Sequence, residues 1–121
     1  MKNLTLTVSL TDKHIKEGVA LSCGYCPVSL AVEEAVTKYF NVPIIISTTY
    51  KKIDILFVND IDYESQKIGV ALTNFELETF IFNFDNDDLE FCKPITWIER
   101  FFDIPEQYLS NLGMEIARES L

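Results

Sequence analysis

Leu4, Leu6, Val8 and Leu10 alternate with Thr5, Thr7 and Ser9, and a period of two is the spacing at which a pleated strand turns every apolar side chain to one face. A lone strand of this kind is not stable in water, so the segment commits the chain to a sheet with one covered side. The β-branched runs Ile44 to Thr49 and Ile53 to Val58, separated by Tyr50-Lys51-Lys52, predict an antiparallel hairpin. A fourth strand is expected at Lys67 to Leu72 after the polar connection Asn59 to Gln66. Pro94 to Phe101 reads as the last strand, with Ile95, Trp97 and Glu99 on one face and Thr96, Ile98 and Arg100 on the other.

Between these runs the spacing changes. Val28, Leu30, Ala31, Val32, Ala35, Val36, Tyr39 and Phe40 recur at three and four, which predicts a helix buried over much of its surface, with Pro27 in its first turn and Asn41 and Pro43 ending it. Leu77, Phe80, Ile81 and Phe84 mark a second helix that starts at Thr73 or Asn74. Its end, Asp85-Asn86-Asp87-Asp88, places like charges against the helix C-terminus and is expected to fray or continue as a loop. Thr11 to Gly18 reads as a short capped turn of helix. Asp103-Ile104-Pro105-Glu106 carries a capping signature and predicts a helix starting there, with Tyr108, Leu109, Leu112 and Ile116 as its apolar face.

The pattern gives an α+β class, a small, mostly antiparallel sheet of about four to five strands packed against two to three helices. With 121 residues and 48% hydrophobic content, residues 1–121 can bury a core as a single domain without disulfide or metal staples. No apolar run is long enough to span a membrane, and the N-terminus lacks the hydrophobic block of a signal peptide. The chain is expected in the cytoplasm, with its three cysteines reduced.

Charge narrows the function. The formal net charge is -9, and it is concentrated. Asp54, Asp60, Asp62, Glu64, Glu76, Glu78, Asp85, Asp87, Asp88 and Glu90 are opposed only by Lys67 in the same stretch, a local balance of about -9. Such a field repels nucleic-acid backbone and anionic membrane and accelerates encounter with a basic protein. Asp60, Asp62, Glu64, Asp85, Asp87, Asp88 and Glu90 are therefore the candidate partner-binding residues.

Cys23-Gly24-Tyr25-Cys26-Pro27 stands at a helix mouth, where amides and dipole favour a thiolate, and its spacing fits thiol-disulfide exchange. No buried strand runs directly into it, however, which sets it apart from thioredoxin-like sites. His14, Cys23, Cys26 and Cys92 supply four ligands of types suited to zinc, although only one tight pair is present; the plain alternative leaves His14 exposed in a turn and Cys92 packed in the core. Asp85 to Glu90 lacks the glycine and the twelfth-position acid of a calcium loop. With His14 as the one histidine and no phosphate loop, nucleophile elbow or HExxH, enzymatic hydrolysis is not expected, and binding is favoured over catalysis.

His14-Ile15-Lys16-Glu17-Gly18 and Cys23-Gly24-Tyr25-Cys26-Pro27-Val28-Ser29-Leu30-Ala31, with the later Phe80-Ile81-Phe82-Asn83-Phe84-Asp85 and Pro94-Ile95-Thr96-Trp97, resemble small uncharacterised proteins of bacteria and phages. That group shares an HI..G....C..CPVALA stretch and an FI..FD...V.PF.F stretch; Ser29 and Ile95 depart from its commonest residues. The resemblance implies a shared fold and no catalytic residue. It adds one expectation, a non-enzymatic, phage-type inhibitor of a host or defence protein whose carboxylates mimic nucleic-acid phosphates. The alternatives are a thiol-redox or zinc protein built on Cys23 and Cys26, and a homo-oligomer that sequesters a nucleotide signal if Lys13, Lys16, Lys51 and Lys52 gather at one pocket.

Overall fold

The computed structural model describes residues 1–58 and 65–119, with side chains as far as Ala117. Its strands are β1 (Lys2–Leu10), β2 (Ile44–Thr48), β3 (Lys52–Val58), β4 (Ser65–Leu72) and β5 (Ile95–Ile104). Its helices are α1 (Asp12–Glu17), α2 (Pro27–Val36), α3 (Phe75–Asp85) and α4 (Asn111–Glu119). The α+β class holds: the strands pair antiparallel throughout in the order β1-β5-β4-β3-β2 and curl into a half-barrel.

The hairpin reading of β2 and β3 is borne out, and its register explains why. Ile44 faces Phe57, Ile46 faces Ile55 and Thr48 faces Ile53, which puts the buried isoleucines on one side. The turn closes through the Thr49 amide, which donates to the Lys52 carbonyl at 2.9 Å.

Two irregularities curl the sheet. Ile55 pairs with Gly69 and Leu56 with Lys67, so β4 carries Ile68 as an extra residue. Leu4 pairs with Phe101 and Lys2 with Ile104, so β5 also carries one extra residue, and Asp103 there has φ 61°. A bulge increases local twist and resets the alternation. Phe101 and Ile104, three apart, are consequently both fully buried.

Curling brings the outer strands within reach of one helix. α2 lies against both β1 and β2 and buries Val28, Ala31, Val32 and Val36 against the inward row Leu4, Leu6, Val8 and Leu10. Each of these valines and leucines, once removed from water, contributes about 1.5–3 kcal/mol before conformational entropy is subtracted. α4 follows β1 and the 3-10 turn Thr37–Tyr39. Gly113 permits this approach, because a Cβ at that position would overlap the Tyr39 carbonyl oxygen.

The expected helix start at Asp103 is corrected. Asp103 and Ile104 extend β5 toward Lys2, Glu106–Tyr108 forms a 3-10 turn, and α4 begins after Ser110, whose Oγ accepts from the Gly113 amide at 3.1 Å. Sheet pairing over-rides the local capping signature. His14 is corrected as well, being 4% exposed rather than solvated. Among the described residues no helix is long and apolar enough to cross a membrane.

Candidate partner-binding surface

α3 is built from one apolar stripe and one cap. Leu77, Phe80, Ile81 and Phe84 face inward, and the Asn74 side chain accepts from the Leu77 amide at 2.8 Å to fix the N-terminus. One flank meets the β2–β3 turn, where Lys51 pairs with Glu78 at 2.9 Å and the Tyr50 and Phe82 rings meet edge to face. The other flank faces the start of β5.

The acidic end of α3 does not fray. Asp88 donates its amide to the Asn83 carbonyl and Asp87 to the Phe84 carbonyl, while the Asn86 amide and side chain both donate to Phe82. This is a Schellman cap, and its left-handed position, φ 62°, is filled by Asp87 where glycine is the usual choice. Cys92 is buried just beyond, its thiol directed at the Asp88 carbonyl at 3.8 Å. Burial pushes that thiol up, and the nearby Asp88 carboxylate adds to the effect.

Asp87, Asp88 and Glu90 therefore occupy a hydrogen-bonded turn. Asp87, Asp88 and Glu90 are exposed, and among the described residues none is paired with a lysine or arginine. Asp85 is half-buried and has a structural duty, since its Oδ1 accepts from the Leu21 amide at 2.9 Å. Lys67, the only base between Asp54 and Glu90, lies instead beside Asp54 at 3.4 Å, with Lys52 at 3.6 Å on the other oxygen. Asp60, Asp62 and Glu64 fall outside the described residues.

Apolar surface adjoins these acids. A groove of ≈ 320 Å³ runs between α3 and the segment leading into β5, walled by Phe75, Phe80, Phe91 and Ile95 with Glu76 and Lys93 at its edges. Phe75 is 83% exposed and Phe91 63%. Sequence reasoning missed this groove, although a signal was present. Phe75 is out of phase with the stripe of Leu77, Phe80, Ile81 and Phe84, which marks an aromatic side chain outside the core.

The cysteine pair borders a separate cleft of ≈ 220 Å³ that Thr48, Tyr50, Ile81 and Asp85 also line. Cys26 is the N-cap of α2, its Sγ accepting from the Ser29 amide at 3.4 Å, whereas Cys23 is exposed in the preceding turn. The Ser29 hydroxyl donates to the Cys23 carbonyl, so the Thr48 hydroxyl must donate to Ser29, at 2.7 Å. The turn is thereby pinned to β2.

The zinc set is not assembled. Among the described residues no group of three or more His, Cys, Asp or Glu is placed to hold a metal ion, so His14, Cys23, Cys26 and Cys92 do not converge. His14 is committed elsewhere: its Nδ1 accepts from the Thr11 amide at 2.9 Å, which leaves Nε2 to donate to Glu34 at 2.8 Å. That hydrogen bond holds the Glu34 carboxyl below its ordinary range. The four lysines named for a nucleotide pocket are not gathered either. Lys51 and Lys52 are held by Glu78 and Asp54, Lys13 and Lys16 ride on α1, and neither groove nor cleft is lined by any of them.

A comparison with family models, curated proteins and solved structures finds no match to this chain.

Proposed function

We propose that this chain is a non-enzymatic binding protein that presents an acidic surface to a basic protein in the cytoplasm, in the manner of a phage-type inhibitor of a host or defence protein. The observation that carries the reading is the allocation of charge. Lys67 is spent on Asp54, Lys51 on Glu78 and Lys2 on Glu106, while Asp87, Asp88 and Glu90 stay exposed on a capped, preorganised turn. Carboxylates held at fixed positions can occupy sites that evolved for phosphates, because Lys and Arg pair with either.

The test is a comparison of proteins retained from a cell lysate by the wild type and by an Asp87→Asn, Asp88→Asn, Glu90→Gln variant. A basic protein bound by the first and lost by the second supports the reading. An identical set of retained proteins removes it.

A second reading draws on a different observation, the exposed Cys23 beside a cleft with Cys26 buried at the helix cap. It makes the chain a thiol protein or, with ligands drawn from elsewhere, a zinc protein. Metal analysis of protein purified without chelator, together with thiol titration, decides it. Metal-free protein with an unreactive Cys23 eliminates that alternative.

A further inference from the structure

We propose, building on the acidic-surface reading, that the groove between α3 and β5 receives one apolar side chain from a basic protein segment, whose flanking Lys or Arg residues meet the carboxylates at the groove's acidic end. A docking surface made only for phosphate-binding cations has no need of aromatic walls, yet Phe75 and Phe91 stand open to solvent on opposite sides of this one. Exposed aromatic side chains gathered around a concavity, rimmed by charge, are the usual make-up of an anchor pocket.

Size and charge select the occupant. A volume of ≈ 320 Å³ is at the small end of binding pockets and suits one or two large side chains rather than a whole helix face. The groove's own edges balance, Glu76 against Lys93. Its two walls are joined by residues 86–90, which contribute Asp87, Asp88 and Glu90 and no base. An acidic or phosphorylated segment would meet repulsion there. A basic segment meets complementary charge, and the apolar walls then reward an anchor that charge alone would not distinguish.

The test is a set of amide NMR titrations of the isotopically labelled full chain with three synthetic peptides. The first has lysines separated by serines around a central phenylalanine, the second replaces that phenylalanine with alanine, and the third keeps it but replaces every lysine with glutamate. Burial of one aromatic side chain is expected to make the first peptide bind at least about tenfold more tightly than the second. Its shifts should centre on Thr79, Phe91 and Ile95, and the third peptide should not bind. Phe75→Ser with Phe91→Ser, substitutions at exposed positions, should abolish the difference between the first two peptides without lowering the melting temperature. Equal affinity of the first two, with shifts confined to residues 87–90, would overturn the anchor pocket and leave the acidic-surface reading standing. Failure of both lysine peptides to bind would overturn both. Binding of the glutamate peptide as tight as the first would overturn the basic partner.

Discussion

Replacing Asp87 with glycine should make the protein more stable. Asp87 sits at φ 62°, where a residue with a Cβ is penalised by about 1 kcal/mol, somewhat less for Asp than for most. Its carboxylate also stands next to the C-terminal carbonyls of α3, an unfavourable placement of about 0.3–1 kcal/mol. Glycine relieves both and costs about 0.5 kcal/mol in additional chain entropy. The net gain is about 1 kcal/mol, or about 4 °C in Tm for a chain of this size. Two controls separate the contributions. Asp87→Asn keeps a residue that tolerates the left-handed region and loses only the charge, so it should gain about half as much. Asp87→Ala loses the charge but suffers more from its conformation, and should be no more stable than the wild type. Urea unfolding with a common slope gives the order Gly, Asn, then Asp with Ala. A glycine variant no more stable than wild type, or an alanine variant equal to glycine, would refute the argument. If Asp87 is retained for binding, the stabilised variant should also bind its partner more weakly, a trade common at functional sites.

Gly113→Ala should do the opposite of what helix propensity suggests. Alanine is favoured within a helix by about 1 kcal/mol, but its Cβ would overlap the Tyr39 carbonyl oxygen, so a net loss of about 1–3 kcal/mol is expected in denaturant unfolding. Glu99 is buried with Trp97 Nε1 donating to it at 2.9 Å, and burial raises its carboxyl above the ordinary value. The folded state then favours the protonated acid, so its contribution is fully present below the unfolded pKa and is lost as pH rises through the folded one. Glu99→Gln should accordingly gain stability over wild type as the pH is raised from about 4 to 7, and a pH-independent difference would contradict this. Native protein should show one fast-reacting thiol, Cys23, with Cys26 and Cys92 titrating only in denaturant.

The strands were largely legible because their signal is local. The alternation from Leu4 to Leu10 and the β-branched runs of β2 and β3 each identify a face without reference to the rest of the chain. Strand order was not, since nothing near Ile95 says that β5 enters between β1 and β4. Asp103 shows how a correct local rule fails. Its capping signature competes with continued pairing to β1, and the bulge that keeps Ile104 buried wins. His14 departs from its expected exposure for a related reason: its ring is held by Glu34, twenty residues away, and by the amide of Thr11. For the candidate surface, the excess of acids was plain from the sequence, but the assignment of Lys67 to Asp54 and the groove beside Phe75 depend on tertiary packing.

Among the described residues no base pairs with Asp87, Asp88 or Glu90 at the end of α3, and the proposed function rests on these carboxylates attracting a cationic partner. That attraction is read from the dissociation constant of the captured partner as a function of salt concentration, for wild type and for the Asp87→Asn, Asp88→Asn, Glu90→Gln variant. Affinity should fall steeply with salt for wild type, with a distinctly shallower dependence for the variant. Parallel salt dependences with equal affinities would show that these carboxylates do no more than keep the protein in solution.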